Sequence, residues 1–272
     1  MTDTALEAAL RRDRMIVIAA LAVLTMLAWA DLVWLAGDMA MDGMDMTGFR
    51  MIPAGQSLMM PASAPWQPIE FGYVFVMWVV TMIGMMTPTV APMILIYARV
   101  ARHAASSGKP FAASGWFAGG YLAAWIVFSA AATMAQWALE RAALLTPMMA
   151  SASDLAGAIV LILAGLYQWT PLKEACLSYC RSPLGFIQSQ GGFRREPAGA
   201  LALGLRHGIY CIGCCWALMA LLFVGGIMNL LWIATLAILV LVEKVVPFGR
   251  IAARVAGLAC IAAGLLLLMQ RA

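Results

Sequence analysis

The stretch that decides the fold is residues 199–224, GALALGLRHGIYCIGCCWALMALLFV, an apolar run interrupted only by Arg206 and His207. About 20 apolar residues span the hydrocarbon core of a membrane as a helix, so this run predicts a transmembrane span. Four residues able to bind a soft metal recur in it at i, i+4, i+7 and i+8: His207, Cys211, Cys214 and Cys215. That spacing places them on one helix face, where they favour metal binding or electron exchange.

The composition of the whole chain is that of a membrane protein. Of its 272 residues, 64% are hydrophobic and 11% are charged, whereas a soluble domain carries about 25% charged residues. Several other apolar runs are long enough to cross a bilayer. We therefore predict an all-α, polytopic membrane protein with seven transmembrane helices, or six if the sixth is re-entrant or pairs with the fifth as one hairpin.

One helical transmembrane domain, residues 15–272, is predicted to follow a short polar tail, residues 1–14. The predicted spans are 15–37, 70–97, 111–137, 152–169, 199–224, 228–243 and 251–269. Two longer connections are predicted to be loops. These are a Met-rich outer loop, 38–68, and an inner loop with two cysteines, 170–197.

The distribution of basic residues predicts the orientation. Most of the 17 Lys and Arg residues fall in segments that lie inside when the N-terminus is inside, which follows the positive-inside rule. We therefore expect a cytoplasmic N-terminus and a location in the bacterial inner membrane, with the lipid bilayer as a partner. The basic residues flank the spans and form no stripe, which argues against binding of nucleic acid.

Span two offers a second set of soft donors. Met82, Met85 and Met86 share a helix face at i, i+3 and i+4. If spans two and five enter from opposite sides, a rise of about 1.5 Å per residue brings these methionines level with Cys211–Cys215. Thioethers suit Cu(I), so the pattern predicts a Met/Cys/His metal site between the two spans. The alternative is that the methionines fill space in the core.

The outer loop alternates Met with Asp or small residues. Four of its methionines are predicted to capture Cu(I) in an oxidising compartment: Met39, Met41, Met44 and Met46. The prediction assumes an exposed loop, in which so many methionines have no packing role. The alternative is an interfacial loop that dips into the lipid surface.

The inner loop carries Cys176 and Cys180 at i, i+4, between Pro171 and Pro183. The two prolines predict a short helix with both thiols on one face. Two thiolates there would serve either as metal ligands that exchange the ion on the inner side or as a redox pair.

Two charges lie within or beside spans, where each needs a partner or an aqueous cavity. Arg206 lies in span five and Glu243 lies near the inner end of span six. We expect either an ion pair between these two residues or a guanidinium of Arg206 that reaches back to the inner surface.

Four segments carry a resemblance to a known family. They are Met85-Met86-Thr-Pro88-Thr-Val-Ala-Pro92-Met93, Pro171-Leu-Lys173 with Cys176 and Cys180, Arg206-His207-Gly208 with Cys211, Cys214 and Cys215, and Leu241-Val-Glu243-Lys244. Over residues 70–268 the chain resembles the bacterial family of predicted metal-binding integral membrane proteins, whose members are sometimes labelled copper chaperones. The resemblance implies metal handling and an all-helical membrane fold.

Together these patterns predict an inner-membrane protein that binds, traffics or transports Cu(I), with zinc as the other metal that its ligand types allow. A periplasmic copper carrier or a membrane complex is the expected protein partner. The chain has no phosphate-binding loop motif, so its own ATP hydrolysis would not drive transport, and we do not predict an enzyme. The alternatives are a membrane thiol-disulfide oxidoreductase and a non-catalytic subunit or assembly factor of a larger copper or haem complex.

Overall fold

The structure is a computed structural model that describes residues 2–39, 48–54, 58–106, 111–147 and 149–270. In chain order the elements are α1 (Thr2–Met39), β1 (Phe49–Ile52), β2 (Leu58–Pro61), α2 (Pro68–Ser106), α3 (Ser114–Arg141), α4 (Asp154–Tyr167), α5 (Pro171–Arg181), α6 (Pro183–Ser189), α7 (Pro197–Ala220), α8 (Leu222–Gly225), α9 (Leu230–Val245) and α10 (Gly249–Met269). The predicted all-α class is therefore confirmed, with one small hairpin, β1–β2, as an addition.

Among the described residues, five helices are long and apolar enough to cross a membrane. They lie in α1, α2, α3, α7 with α8, and α10. The number rises to six if α4 and α5, bent by 64° at the break between them, count as one span. Helix α9 has 16 residues, fewer than the roughly 20 that a full span needs. The predicted polytopic fold is confirmed, and the six-span alternative describes the helix count better than seven.

Helices α3 and α7 touch each other through their backbones, because glycines line the contact. A β-carbon on Gly204 would lie 2.0 Å from the carbonyl oxygen of Phe117, and one on Gly120 would lie 2.0 Å from that of Leu201. Only glycine permits such an approach. The close-packed neighbour of span five is therefore α3, whereas the predicted metal site pairs span five with span two.

A second pair of helices, α4 and α10, uses the same device. A β-carbon on Gly165 would lie 2.6 Å from the carbonyl oxygen of Gly257. Helix α1 packs on α2 with Trp29 as a tie, since its indole nitrogen donates to the carbonyl of Gly84 at 3.2 Å. The helices α2, α3, α7 and α9 contact one another and contribute to one shared core.

The segment predicted as an outer loop contains the hairpin, which Arg50 ties to α2. The strands pair antiparallel, with Arg50 opposite Met60. The buried Arg50 guanidinium donates to the Glu70 carboxylate at 2.7 Å and to the carbonyl of Ala64 at 2.7 Å. Met51 is buried in this segment, so the expectation that the loop methionines have no packing role is wrong for that residue.

The α3–α7 contact generates a stability prediction with a built-in control. Gly120→Ala should lower the free energy of unfolding by about 1–3 kcal/mol, because the added methyl group meets backbone atoms of α7. Gly119→Ala is the matched control, since a β-carbon there has nothing within 4 Å. Unfolding in detergent micelles, followed by tryptophan fluorescence, measures both. Equal effects of the two substitutions would contradict the contact.

Candidate metal centre

Helix α5 lies against α7 and brings thiols from the two helices together. The Cys180 and Cys214 sulfurs are 3.9 Å apart. One turn earlier on α5, Cys176 lies against Gly213, where an added β-carbon would be 2.7 Å from the Cys176 sulfur. Cys176 and Cys180 thus face the same neighbour, as their spacing predicts. The sequence treats them as a separate inner site, whereas the structure joins them to the cysteines of α7.

Local sequence explains where α5 begins and ends. The Thr170 hydroxyl caps the helix by accepting from the Lys173 amide, and Pro171 occupies the first turn. Both features are standard at a helix N-terminus. Ser182 and Pro183 then end α5 and start α6. The predicted inner loop is therefore largely helical.

Polar contacts hold both ends of α5 to the end of α9. Near its start, the Lys173 ammonium donates to the Glu243 carboxylate at 2.6 Å, and both side chains are buried. At its end, the Arg181 guanidinium donates to the carbonyls of Glu243 and Pro247, each at 2.9 Å. A buried charge pair with further hydrogen bonds is costly to break from one side. These contacts fix the position of Cys180 relative to α9.

The expected ion pair between Arg206 and Glu243 is wrong. Glu243 is bound to Lys173 and lies 3.4 Å from the side-chain amide of Gln168. The Arg206 guanidinium instead donates to the side-chain oxygen of Gln190 at 2.9 Å. The alternative expectation, an arginine that reaches back towards the inner end of its span, agrees with this contact.

Cys211 is the point where α2, α3, α7 and α9 meet. Its sulfur lies 2.9 Å from the Lys244 ammonium and 3.1 Å from the Tyr121 hydroxyl. The same hydroxyl lies 3.3 Å from the carbonyl of Met86, and the ammonium lies 3.4 Å from the hydroxyl of Thr89. The sequence predicts that Met86 and Cys211 lie at similar depth. In the structure the Tyr121 hydroxyl bridges the Met86 carbonyl and the Cys211 sulfur, which agrees with that prediction.

The surroundings of Lys244 are unusual for a buried ammonium. The side chain is buried, and in the described part of the chain no carboxylate forms an ion pair with it. Its neighbour Glu243 is turned towards Lys173. A charge at membrane depth needs a partner, and the partner here is the Cys211 sulfur. The thiolate is the form of cysteine that binds metals and that best matches an ammonium.

Cys214 and Cys215 are both buried and both donate to the carbonyl of Cys211, at 3.0 and 2.9 Å. Their hydrogen-bonding needs are met within α7. In addition to the carbonyl of its own helix, the Cys214 sulfur contacts the Cys180 thiol of α5. This leaves Cys214 as the link between the two helices.

His207 lies among aromatic rings. Its ring centroid is 4.9 Å from that of Phe186, 5.8 Å from that of Phe117 and 5.9 Å from that of Tyr121. Its Nδ1 atom is buried and, among the described residues, has no hydrogen-bond partner. Buried polar atoms are rarely left so. The predicted ligand role of His207 stays a prediction, with one ring nitrogen available for it.

The predicted methionine ligands have different surroundings. The three in α2 are buried in the same core as the cysteines of α7: Met82, Met85 and Met86. Met39 is buried at the end of α1, which contradicts the exposed position expected for it. Met41, Met44 and Met46 lie outside the described residues. Whether any of these thioethers binds copper stays a prediction.

Among the described residues, no group of three or more His, Cys, Asp or Glu side chains is arranged to hold a metal ion. The pair of Cys180 and Cys214 does fit one ion. If each metal–sulfur bond is about 2.3 Å, as in zinc sites, sulfurs that are 3.9 Å apart subtend roughly 116° at the metal. This angle fits a soft ion that has a third ligand, because a two-coordinate Cu(I) ion prefers a nearly linear arrangement.

Three residues that form polar contacts around the cysteines were not predicted to do so from the sequence. Lys173 and Lys244 appear in the sequence analysis only as parts of family segments, and Tyr121 is not singled out there. A lysine next to Glu243 at the end of a predicted span was a usable signal, because intramembrane charges demand partners. An aromatic residue within an apolar span gives no comparable signal.

These features define a polytopic helical protein that buries several thiols beside an ammonium group. The family model described as "PpoB2: Copper chaperone" matches residues 75–267, and the chain belongs to this family. The match begins in α2, ends in α10 and includes every cysteine of the chain. The resemblance to a family labelled as copper chaperones is thereby confirmed. Comparisons with curated proteins and with solved structures found no match.

The sulfur–sulfur distance predicts a specific cross-link. Mild oxidation with diamide should join Cys180 to Cys214, because their sulfurs need to move by only about 2 Å to reach disulfide bonding distance. Peptide mapping by mass spectrometry would identify the bond. Cys214→Ser should abolish it, whereas Cys260→Ser should have no effect. A linkage that forms only between other cysteines would contradict the packing of α5 on α7.

Proposed function

We propose that this protein binds Cu(I) as cargo in the bacterial inner membrane and passes it to a partner. Membership of a copper chaperone family supports a copper-related function. The observation that carries the proposal is the pair of Cys180 and Cys214, with sulfurs 3.9 Å apart. Soft thiolates select Cu(I) over hard cations, and they also accept zinc.

In this proposal Cys180 and Cys214 hold the ion, and nearby donors complete its coordination and exchange it. Cys176 and Cys211 lie one helical turn from the pair on their respective helices. His207 lies one turn before Cys211 in α7, and its Nδ1 atom has no hydrogen-bond partner in the described part of the chain. The predicted capture of copper by the outer methionines and its passage past the buried methionines of α2 belong to the same proposal.

Lys244 balances the charge of the site. A Cu(I) ion bound by two thiolates carries one net negative charge, which is costly at membrane depth. The Lys244 ammonium is buried and contacts Cys211, and Cys214 donates to the Cys211 carbonyl. Binding releases the protons of the Cys180 and Cys214 thiols. When the Cys211 thiolate takes up one of these protons, the Lys244 ammonium beside it offsets the negative charge of the bound ion.

Cysteine substitutions test the ligand pair. Purified protein should bind one equivalent of Cu(I), and Cys180→Ser or Cys214→Ser should weaken binding by at least about 100-fold, because one of two ligands is lost. Competition with a chromogenic Cu(I) chelator measures the affinity. The control is Cys260→Ser, in α10, which should bind as the wild type does. Unchanged affinity in both ligand variants would reject the pair as the site.

Lys244 variants test the charge balance separately. Lys244→Met should weaken Cu(I) binding by about 10–100-fold, the range typical of groups that support a metal ligand. Lys244→Arg keeps the positive charge and should stay closer to the wild type. The same competition assay measures both, with unfolding in micelles as a check on the fold. If both variants bind equally well, charge is not the role of this lysine.

One observation favours a second candidate, a membrane thiol-disulfide oxidoreductase. Cys180 and Cys214 belong to different helices and lie close enough to form a disulfide after a small movement. Oxidation of the pair would release two electrons and two protons to an acceptor such as a quinone. The copper measurement separates the two candidates, because a protein that binds no Cu(I) yet cycles this disulfide in membranes is an oxidoreductase.

A further inference from the structure

A second charged site lies at the start of α7. A cavity of about 530 Å³ opens there, lined by basic and apolar side chains, and its lining residues include none of the cysteines. The charged residues of the lining are Arg194, Arg195, Glu196 and Arg206. Three guanidinium groups and one carboxylate leave this cavity with a net positive charge.

Within the described residues, none of the three arginines of the cavity forms an ion pair with a carboxylate. The guanidinium groups of Arg194 and Arg206 both bind Gln190, the first at its carbonyl and the second at its side-chain oxygen. Neutral acceptors hold these two groups in place while their charges remain available to an anion.

The wall that carries these arginines is anchored to the rest of the fold. The carbonyl of Arg194 accepts from the Ala112 amide at 3.0 Å and from the Tyr97 hydroxyl at 3.4 Å. The Phe193 ring packs against those of Tyr97 and Phe111, with centroids 5.3 and 5.6 Å apart. The cavity is therefore built on fixed backbone between α6 and α7.

The position of the cavity relates it to the lipid. The charge distribution of the sequence places the start of α7 on the inner side of the membrane. Further along the same helix, Leu201 and Ile209 are exposed, as expected for side chains that face acyl chains. The cavity thus lies where a basic surface meets an apolar one, the arrangement that anionic lipid head groups occupy on cytoplasmic surfaces.

We propose that this cavity binds the phosphate of an anionic phospholipid from the inner leaflet. Planar guanidinium groups match phosphate oxygens in pairs. The first amides of α7 lack a side-chain cap from Glu196, and a helix N-terminus adds favourable partial charge for an anion. This site is separate from the copper cluster and does not depend on the proposed function.

Lipid retention tests the proposal. Detergent-purified protein is equilibrated with mixed micelles that contain phosphatidylglycerol or phosphatidylcholine, and bound lipid is counted by native mass spectrometry. The wild type should retain phosphatidylglycerol and release phosphatidylcholine. The double variant Arg195→Gln/Arg206→Gln should retain at least about tenfold less phosphatidylglycerol, because it loses two phosphate contacts. Size-exclusion chromatography confirms that each variant is folded.

A charge-matched control separates binding in the cavity from a general effect of positive charge on lipid retention. Arg14→Gln/Arg99→Gln removes two exposed arginines from the same predicted side of the membrane and from outside the cavity, so it should retain lipid as the wild type does. Equal retention by the two double variants would overturn the proposal. A third arm adds inorganic phosphate. If millimolar phosphate displaces the lipid and binds by itself in an Arg195- and Arg206-dependent manner, the ligand is a soluble phosphate and the lipid assignment is wrong.

Discussion

The backbone contact between α3 and α7 is the constraint on which the centre of this protein depends. Gly120 and Gly204 remove the side chains that would keep the two helices apart. Tyr121 follows Gly120 directly in α3. The close approach that Gly120 permits therefore also brings the Tyr121 hydroxyl to Cys211. The geometry around Cys211 is set by helix packing, which positions functional groups more firmly than loops do.

The last turn of helix α9 contacts both α5 and α7. Glu243 and Lys244 are consecutive, and the rotation of about 100° per residue in a helix directs one towards Lys173 of α5 and the other towards Cys211 of α7. A short helix therefore links two charged pairs that would each be costly alone at membrane depth. Helix α9 therefore contributes to the core although it is shorter than a full span.

The sequence predicts individual helices well and their mutual arrangement poorly. Apolar runs are enough to predict an all-helical membrane protein, and i, i+4 spacing is enough to place Cys176 and Cys180 on one face of α5. The contact between Cys180 and Cys214 was missed because they are 34 residues apart and positive-inside counting assigns them to different depths. Periodicity relates a residue to its own helix and carries no information on which neighbouring helix it meets.

If the Cys180–Cys214 pair binds an ion as proposed, the attachment of α5 at both ends has a consequence for how that ion leaves. Because the contacts of Lys173 and Arg181 hold the helix in place, the Cys180 thiol stays beside Cys214 even when one of the two releases the metal. The free thiol then recaptures the ion at an effective concentration far above that of any ligand in solution. A recipient that offers one donor at a time would lose this competition, so efficient transfer requires a recipient that presents two donors together.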